Sequence, residues 1–162
     1  LLAEQLDLWV NDSMSSSHSP VVVALRQVVA DSYALMGQTH LCHWNVRGPE
    51  FFALHAAFEV QYSELFVAVD EIAERVRALG ALAPGGLSHL AHLSQVTELD
   101  EDTSAVEMVR HLAASNGILV ASLCAARDLA SEAGDSESED LSIARIQVHQ
   151  KTIWMLNSFL GK

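Results

Sequence analysis

The chain of 162 residues is poor in the residues that interrupt helices. It contains 3 prolines and 8 glycines, and this scarcity excludes an architecture of many short strands joined by tight turns. Apolar residues make up 50% of the sequence, and they recur every three or four positions rather than alternating. The composition therefore predicts an all-α protein with long helices and enough apolar side chains for the core of one domain.

Positive charge is also scarce, with 9 Lys and Arg against 21 Asp and Glu, for a net charge of −12. Lysine occurs only at Lys151 and Lys162, and no Lys or Arg precedes Arg26. Because contacts to nucleic-acid phosphates need Lys and Arg, direct DNA binding is not expected. An acidic surface attracts metal cations, although solubility alone is a sufficient reason for such a charge.

Cysteine and long apolar runs are nearly absent as well. Cys42 and Cys124 are too few for a disulfide framework, which favours a reducing compartment. No run of about 18 apolar residues occurs, so no membrane span is expected. Glu4 and Asp7, without a basic segment, argue against a signal peptide. We therefore expect a cytoplasmic protein that does not associate with membranes.

The helical pattern divides residues 1–162, interpreted as a single domain, into two parts. Residues 1–19 are predicted to hold a short amphipathic helix and a Ser-rich linker, and residues 20–160 a bundle. Four long helices are predicted over residues 20–46, 49–79, 104–133 and 136–160. Ser104 and Ser136, each followed by Glu three residues later, have the spacing of N-terminal capping boxes.

The connections between these helices are short, except for one. Residues 81–101 form a long crossover between the second and third helices, with one short helix predicted near residues 87–93. Four helices with a single crossover connection are typical of ferritin-like four-helix bundles. No histidine has an acid three residues before it, so the Glu-x-x-His metal site inside one ferritin bundle is not expected.

The second predicted helix carries His55, Glu59, Asp70 and Glu74 on one face, within about 100° of one another. His55 and Asp70 are nevertheless about 22 Å apart along the helix axis. Metal ligands bind at about 2 Å, so one chain cannot bring all four side chains to one ion. The alternative interpretation is that these side chains form an ordinary solvated face.

A second copy of the helix, antiparallel and related by a two-fold axis near its middle, removes this difficulty. His55 and Glu59 of one chain then face the partner subunit's Asp70 and the partner subunit's Glu74, and two sites form at once. His43, at the end of the first helix, can approach His55 at the same end of the bundle. Imidazole and carboxylate ligands suit iron(II), and also zinc or manganese.

Two segments of the sequence resemble a known family. His-Trp-Asn-Val-Arg-Gly-Pro-Glu-Phe-Phe-Ala-Leu-His at residues 43–55 resembles the signature of the Dps family, the mini-ferritins known as DNA-binding proteins from starved cells. Asp-Glu-Ile-Ala-Glu-Arg at residues 70–75 continues the match at the family's spacing. The resemblance is sharpest from about residue 38 to 80, and the helix layout extends it over nearly the whole chain.

The resemblance implies a hollow shell of twelve subunits that oxidises iron(II) at two-fold interfaces and stores an iron(III) mineral. Hydrogen peroxide would be the preferred oxidant over oxygen, which would protect the cell from oxidative stress. His43, His55, Asp70 and Glu74 match the family's ligands, and a site could take two irons or bind zinc instead. Glu59 departs from the family's usual Asp, which puts the second iron position in question.

The resemblance also assigns roles to two residues outside the ligand set. Trp44 matches a family tryptophan that can trap a stray oxidising equivalent, and the alternative is a packed aromatic of the bundle. Asp140 matches an acid lining the pore for iron entry, and the alternative is a solvated acidic loop with Asp135, Glu137 and Glu139.

Three further expectations concern residues without a family role. His40 is expected to form a local hydrogen bond rather than bind metal transiently. Trp154 is expected in the core, and His89 and His92 at the surface. Two other functions remain open: a DNA-compacting, nucleoid-associated protein, which the acidic charge disfavours, and a metal-binding shell without catalysis.

Overall fold

The computed structural model describes residues 19–161, and within that range it contains helices and no strands. The predicted short helix and most of the linker at the N-terminus lie outside the described residues. The helices are α1 (Pro20–Asn45), α2 (Phe51–Ala78), α3 (Leu87–Leu93), α4 (Ala105–Ala133) and α5 (Ser136–Phe159). The predicted all-α bundle, its long crossover and the short crossover helix are confirmed, with helix ends within about two residues of the prediction.

Local chemistry at the helix ends explains most of these boundaries. After α1, Gly48 adopts a φ of +113°, a conformation that few other residues tolerate, and Pro49 follows it. The Ser104 hydroxyl caps α4 by accepting the Glu107 N–H at 3.3 Å, as predicted. Gly134 ends α4 with a φ of +69°, in the left-handed conformation typical of this position.

The predicted cap at Ser136 is wrong by one residue. The Asp135 carboxylate caps α5 by accepting the Ser138 N–H at 3.1 Å, and it also forms an ion pair with Arg75 at the end of α2. Partial burial pushes the pKa of Asp135 up, but the Ser138 hydrogen bonds and the Arg75 charge outweigh it and leave this pKa lowered. Asp135 is therefore occupied in joining α2 to α5.

The core lies between two antiparallel helix pairs. Helix α1 packs against α2 and α4, and α4 packs against α5. The largest side chains in this core are less than 2% exposed, and they include Phe58, Leu25, Leu35, Ile72, Met108 and Leu112. Helix α4 is the only described helix apolar and long enough to cross a membrane, and its apolar residues supply much of this core.

A buried carboxylate fixes the crossover to the bundle. Asp31 on α1 is fully buried and accepts the Gln95 N–H at 2.7 Å and the Ser122 hydroxyl at 2.7 Å. It also accepts the Ser94 hydroxyl at 3.1 Å and the Gln27 amide at 3.1 Å. These bonds compensate for the loss of hydration that a buried carboxylate suffers, and they hold α3 in place.

A second polar network links α2, α4 and α5. The Arg145 guanidinium, 6% exposed, forms an ion pair with Glu64 and donates to His149 Nε2 at 3.0 Å. Since Nε2 accepts, Nδ1 carries the proton and donates to the Asn116 side-chain oxygen at 2.8 Å. Burial, and then the Arg145 charge, lower the pKa of His149 to about 3, so its imidazole is neutral.

The prediction that Trp154 belongs to the core is wrong, because its side chain is 65% exposed. Arg145, Trp154 and His149 share helix α5, and Trp154 lies about 180° around the helix from Arg145. The buried face of α5 is polar at its centre. Hydrophobicity alone therefore misplaces the tryptophan on the inner face.

Candidate metal centre

The turn between α1 and α2 brings two histidines together at one end of the bundle. His43 is near the end of α1, and His55 is in the second turn of α2. His43 Nδ1 lies 2.9 Å from the His55 backbone oxygen, and His55 Nδ1 lies 2.9 Å from the His43 backbone oxygen. Carbonyl oxygens only accept, so both Nδ1 atoms are the protonated nitrogens.

This arrangement leaves the Nε2 lone pair of each ring available. The rings stack with centroids 3.7 Å apart, and His43 is buried whereas His55 is half-buried. A hydrogen bond from the other ring nitrogen to a carbonyl is the usual arrangement of a metal-binding histidine, since it fixes the tautomer and the ring orientation. The histidine pair therefore has the orientation that metal binding through Nε2 requires.

The three acidic candidates have a different environment. Glu59 lies one turn beyond His55, while Asp70 and Glu74 lie toward the other end of α2. All three side chains are exposed, and none forms an ion pair among the described residues. Within residues 19–161 of one chain, no group of three or more His, Cys, Asp or Glu side chains is placed to hold a metal ion.

The outward face of α2 that carries these acids also exposes large apolar side chains. Large apolar side chains are exposed along its length, at Phe52, Val60, Phe66 and Val67, with Phe52 84% exposed. They lie at about the same angles around the helix as Glu59, Asp70 and Glu74. Several large exposed apolar side chains on one helical face are typical of a protein–protein contact.

The four candidate ligands on α2 are spaced symmetrically about one point of the helix. The midpoint between His55 and Glu74 falls between residues 64 and 65, and so does the midpoint between Glu59 and Asp70. An antiparallel copy of α2 with its axis at this point would place His55 beside the partner subunit's Glu74. It would also place Glu59 beside the partner subunit's Asp70.

Aromatic side chains extend outward from the histidine pair. Tyr62, two turns beyond His55, contacts the His43 ring at a centroid distance of 5.1 Å and the His40 ring at 4.2 Å. His40 in turn stacks on Trp44 at 5.2 Å. His40 makes no hydrogen bond among the described residues, contrary to the expectation of a local one.

Of these aromatic residues, the sequence indicated Trp44 as a candidate near the site but did not indicate Tyr62. Trp44 is 70% exposed, so it is not a packed aromatic of the bundle. Tyr62 was missed by the sequence analysis, although its position seven residues after His55 places it on the same helical face. Its contact with His43 makes it part of the surroundings of the candidate centre.

Asp140 lies apart from the histidine pair, in the first turns of α5. Its side chain is exposed, as is that of Glu137, while Glu139 is half-buried. Asp135 does not belong with these free acids, because it is occupied by Arg75 and by the cap of α5. The surface at the start of α5 is therefore acidic, but it has one unpaired carboxylate fewer than the sequence suggests.

Known proteins of similar sequence and structure share this architecture. The profile of the ferritin-like domain matches residues 22–162. The "DNA protection during starvation protein" of Brevibacillus brevis is 37% identical over 140 residues, which cover 86% of this chain and 94% of that protein.

Solved structures give the same result. The crystal structure of Dps from Staphylococcus aureus is 37% identical, covers 89% of this chain and 97% of that one, and superposes with a TM-score of 0.85. The Dps protein of Vibrio cholerae O1, described as a member of a broad superfamily of ferritin-like diiron-carboxylate proteins, is 30% identical with a TM-score of 0.84, covering 93% of this chain and 91% of that one. On this combined similarity of sequence and structure, the chain belongs to the Dps family of ferritin-like proteins.

Proposed function

We propose that two copies of this chain pair along α2 and form two iron-oxidising centres across their interface. The observation that carries the proposal is the common midpoint of the four α2 candidates, together with the apolar face on which they lie. His43, His55 and Glu59 of one chain would meet the partner subunit's Asp70 and the partner subunit's Glu74. Neither half is sufficient alone, which agrees with the separation of the ligands within one chain.

The ligand types suit the oxidation of iron(II). The two imidazoles supply nitrogen ligands for iron(II), and the carboxylates of Glu59, Asp70 and Glu74 supply negative charge that stabilises iron(III) more strongly. With hydrogen peroxide as oxidant, each of two iron(II) ions gives up one electron. The O–O bond breaks, and the two oxygens take up two protons to form two water molecules. Transfer of both electrons at one centre avoids release of a hydroxyl radical.

Iron(III) would then be stored as a mineral in a shell of twelve chains in the cytoplasm. A native particle of about twelve times 17.6 kDa is expected, whereas a stable monomer would leave every centre incomplete. Asp140 would line the path of iron entry, since its exposed carboxylate attracts cations. Asp140→Asn is expected to slow iron uptake by the particle without altering oxidation by the isolated two-fold pair.

The shared centre is tested by complementation between two inactive variants. One variant carries His43→Ala and His55→Ala, and the other carries Asp70→Ala and Glu74→Ala. Each forms particles in which every centre lacks one half. In a mixed pair, one of the two centres regains all five ligands, because each chain supplies the half that the other lacks.

Co-expression of the two variants is therefore expected to restore iron(II) oxidation to about half of the wild-type rate per mixed pair. The rate is measured by the appearance of iron(III) absorbance with peroxide and, separately, with oxygen. The matched control is a mixture of the two variant particles, each purified separately so that subunits do not exchange. This mixture should not oxidise iron(II). Co-expressed particles that contain both chains but oxidise no iron would contradict a centre shared between subunits.

DNA compaction is the competing function, and the family name of several relatives suggests it. In this chain every arginine lies in the described part, and each donates to an acidic side chain or to a backbone carbonyl. The pairs are Arg26–Leu82, Arg47–Asp102, Arg75–Asp135, Arg77–Ala81, Arg110–Glu107, Arg127–Asp128 and Arg145–Glu64. Few cations are left to neutralise phosphates, so no gel shift is expected at any salt concentration without a divalent cation.

A metal-binding shell without catalysis is the second competitor. Imidazole and carboxylate ligands also suit zinc, and a Dps structure from Listeria innocua was determined after soaking with 10 mM zinc. Zinc has no redox chemistry and would compete for the same Nε2 atoms. The two functions are separated by measuring iron(II) oxidation at increasing zinc occupancy. Inhibition in proportion to the bound zinc supports the oxidation centre. No oxidation in the zinc-free protein supports the shell without catalysis.

A further inference from the structure

Helix α3 carries two histidines that take no part in the proposed oxidation centre. His89 and His92 are both exposed, and among the described residues neither forms a hydrogen bond or an ion pair. They are three residues apart on one helix, about 60° around its axis, so that their Cβ atoms are about 5–6 Å apart. Imidazoles with this spacing can reach one ion at about 2.0–2.1 Å.

The short helix that carries them is held firmly from its inner side. Leu90 is buried, and the Leu93 carbonyl accepts a hydrogen bond from the Gln27 side chain at 2.9 Å. Ser94, directly after the helix, donates to the buried Asp31 at 3.1 Å. The backbone under the two histidines is therefore fixed, and little ordering of the helix is needed when a metal binds.

We propose that His89 and His92 chelate one divalent transition-metal ion per chain, at a site separate from the iron centre. Two nitrogen ligands and no carboxylate favour nickel, copper or zinc over iron(II), which precedes nickel and copper in the order of affinities. Calcium and magnesium are excluded because they prefer oxygen ligands. Water would complete the coordination, since no third protein ligand lies within the described residues.

The test uses nickel(II) and measures its binding by calorimetric titration of the assembled protein in mildly alkaline buffer. His92→Gln is compared with a shifted pair, Ala91→His combined with His92→Gln. The shifted pair keeps two histidines at exposed positions of α3 but places them about 160° apart around the helix, on opposite flanks of the buried Leu90. Because the second ligand of a chelate acts at high effective concentration, either change should lower the affinity about 100-fold.

The expected result is one nickel site per wild-type chain, in addition to any nickel bound at the iron centre, that is lost in both variants. Iron(II) oxidation and particle mass should be unchanged in both, which shows that the bundle and the iron centre are intact. Nickel binding by His92→Gln with the wild-type affinity and stoichiometry would overturn the proposal. Wild-type affinity in the shifted pair would overturn it too, because the binding would then not depend on the chelate.

Discussion

His43 and His55 hold each other's orientation, because each Nδ1 donates to the backbone carbonyl of the other at 2.9 Å. The acceptors are backbone atoms, so the bond made by either ring survives replacement of the other side chain. Both Nε2 atoms are left as acceptors on stacked rings whose centroids are 3.7 Å apart. The turn between α1 and α2 thus orients two candidate metal ligands through backbone carbonyls alone.

The first prediction follows from this reciprocal bond. His43→Ala removes one ligand but keeps the carbonyl that orients His55, so the fold and the His55 ring should be unaffected. Loss of a hydrogen bond to a ligand already costs about 10–100-fold in metal affinity, and loss of the ligand should cost at least as much. We expect iron(II) oxidation to fall by 100-fold or more, measured by initial rates with peroxide. The control is His40→Phe, which keeps an aromatic ring beside Tyr62. An equal loss in that variant would make His40 a ligand.

The second prediction concerns the exposed apolar face of α2. Phe66→Glu places a charge near the proposed two-fold axis, where pairing would bury it at a cost of several kcal/mol. We expect the particle to dissociate, as measured by native mass, while circular dichroism shows the helices intact. Val23→Glu, at a similarly exposed apolar position on α1, is the control and should stay assembled. Assembled Phe66→Glu particles with full oxidation activity would refute pairing along α2.

The third prediction concerns the acid one turn after His55. Glu59 is one methylene longer than the Asp that is usual in the family, and this length displaces its carboxylate. Glu59→Asp should raise the iron(II) bound per centre toward two, as measured by anaerobic titration. Glu59→Gln, of equal length but without charge, should instead lower it. An unchanged stoichiometry in Glu59→Asp would show that side-chain length at this position does not limit the second iron.

The fourth prediction is a pH dependence of stability that originates at His149. Burial and the Arg145 charge lower its pKa from the ordinary 6.5 to about 3. Between these values the unfolded chain binds a proton that the folded chain does not, so stability falls as the pH falls through this window. The loss is about 3 kcal/mol per chain between pH 7 and pH 4.

This pH dependence is measured by denaturant unfolding at a fixed protein concentration, since assembly adds its own concentration dependence. His149→Gln keeps an amide able to meet Asn116 and Arg145 but cannot titrate. In the variant, the free energy of unfolding should fall less steeply as the pH falls over the same range. The difference in slope should correspond to about one proton per chain. An identical slope in both proteins would mean that His149 does not stay neutral in the folded state.

Periodicity predicted the helices well, because α1, α2 and α4 each bury an apolar stripe and glycine, proline or a capping residue marks most helix ends. The errors have local physical causes. The spacing of Ser136 and Glu139 predicts a capping box, but the Asp135 carboxylate caps α5 instead. Its ion pair with Arg75 holds it in place at the helix end. Trp154 was placed inside because large apolar side chains usually are, whereas α5 buries the polar pair Arg145 and His149 instead.

For the candidate centre, the sequence by itself determined which residues have metal-binding chemistry and that Asp70 and Glu74 share a helical face with His55. It did so because helical geometry fixes angle and rise per residue from spacing alone. Only the tertiary structure decided that His43 and His55 orient each other and that Tyr62 contacts His43. It also decided that Arg145 pairs with Glu64 and that His149 bonds to Asn116. These contacts join residues on different helices, and their geometry depends on how the helices pack rather than on any local pattern.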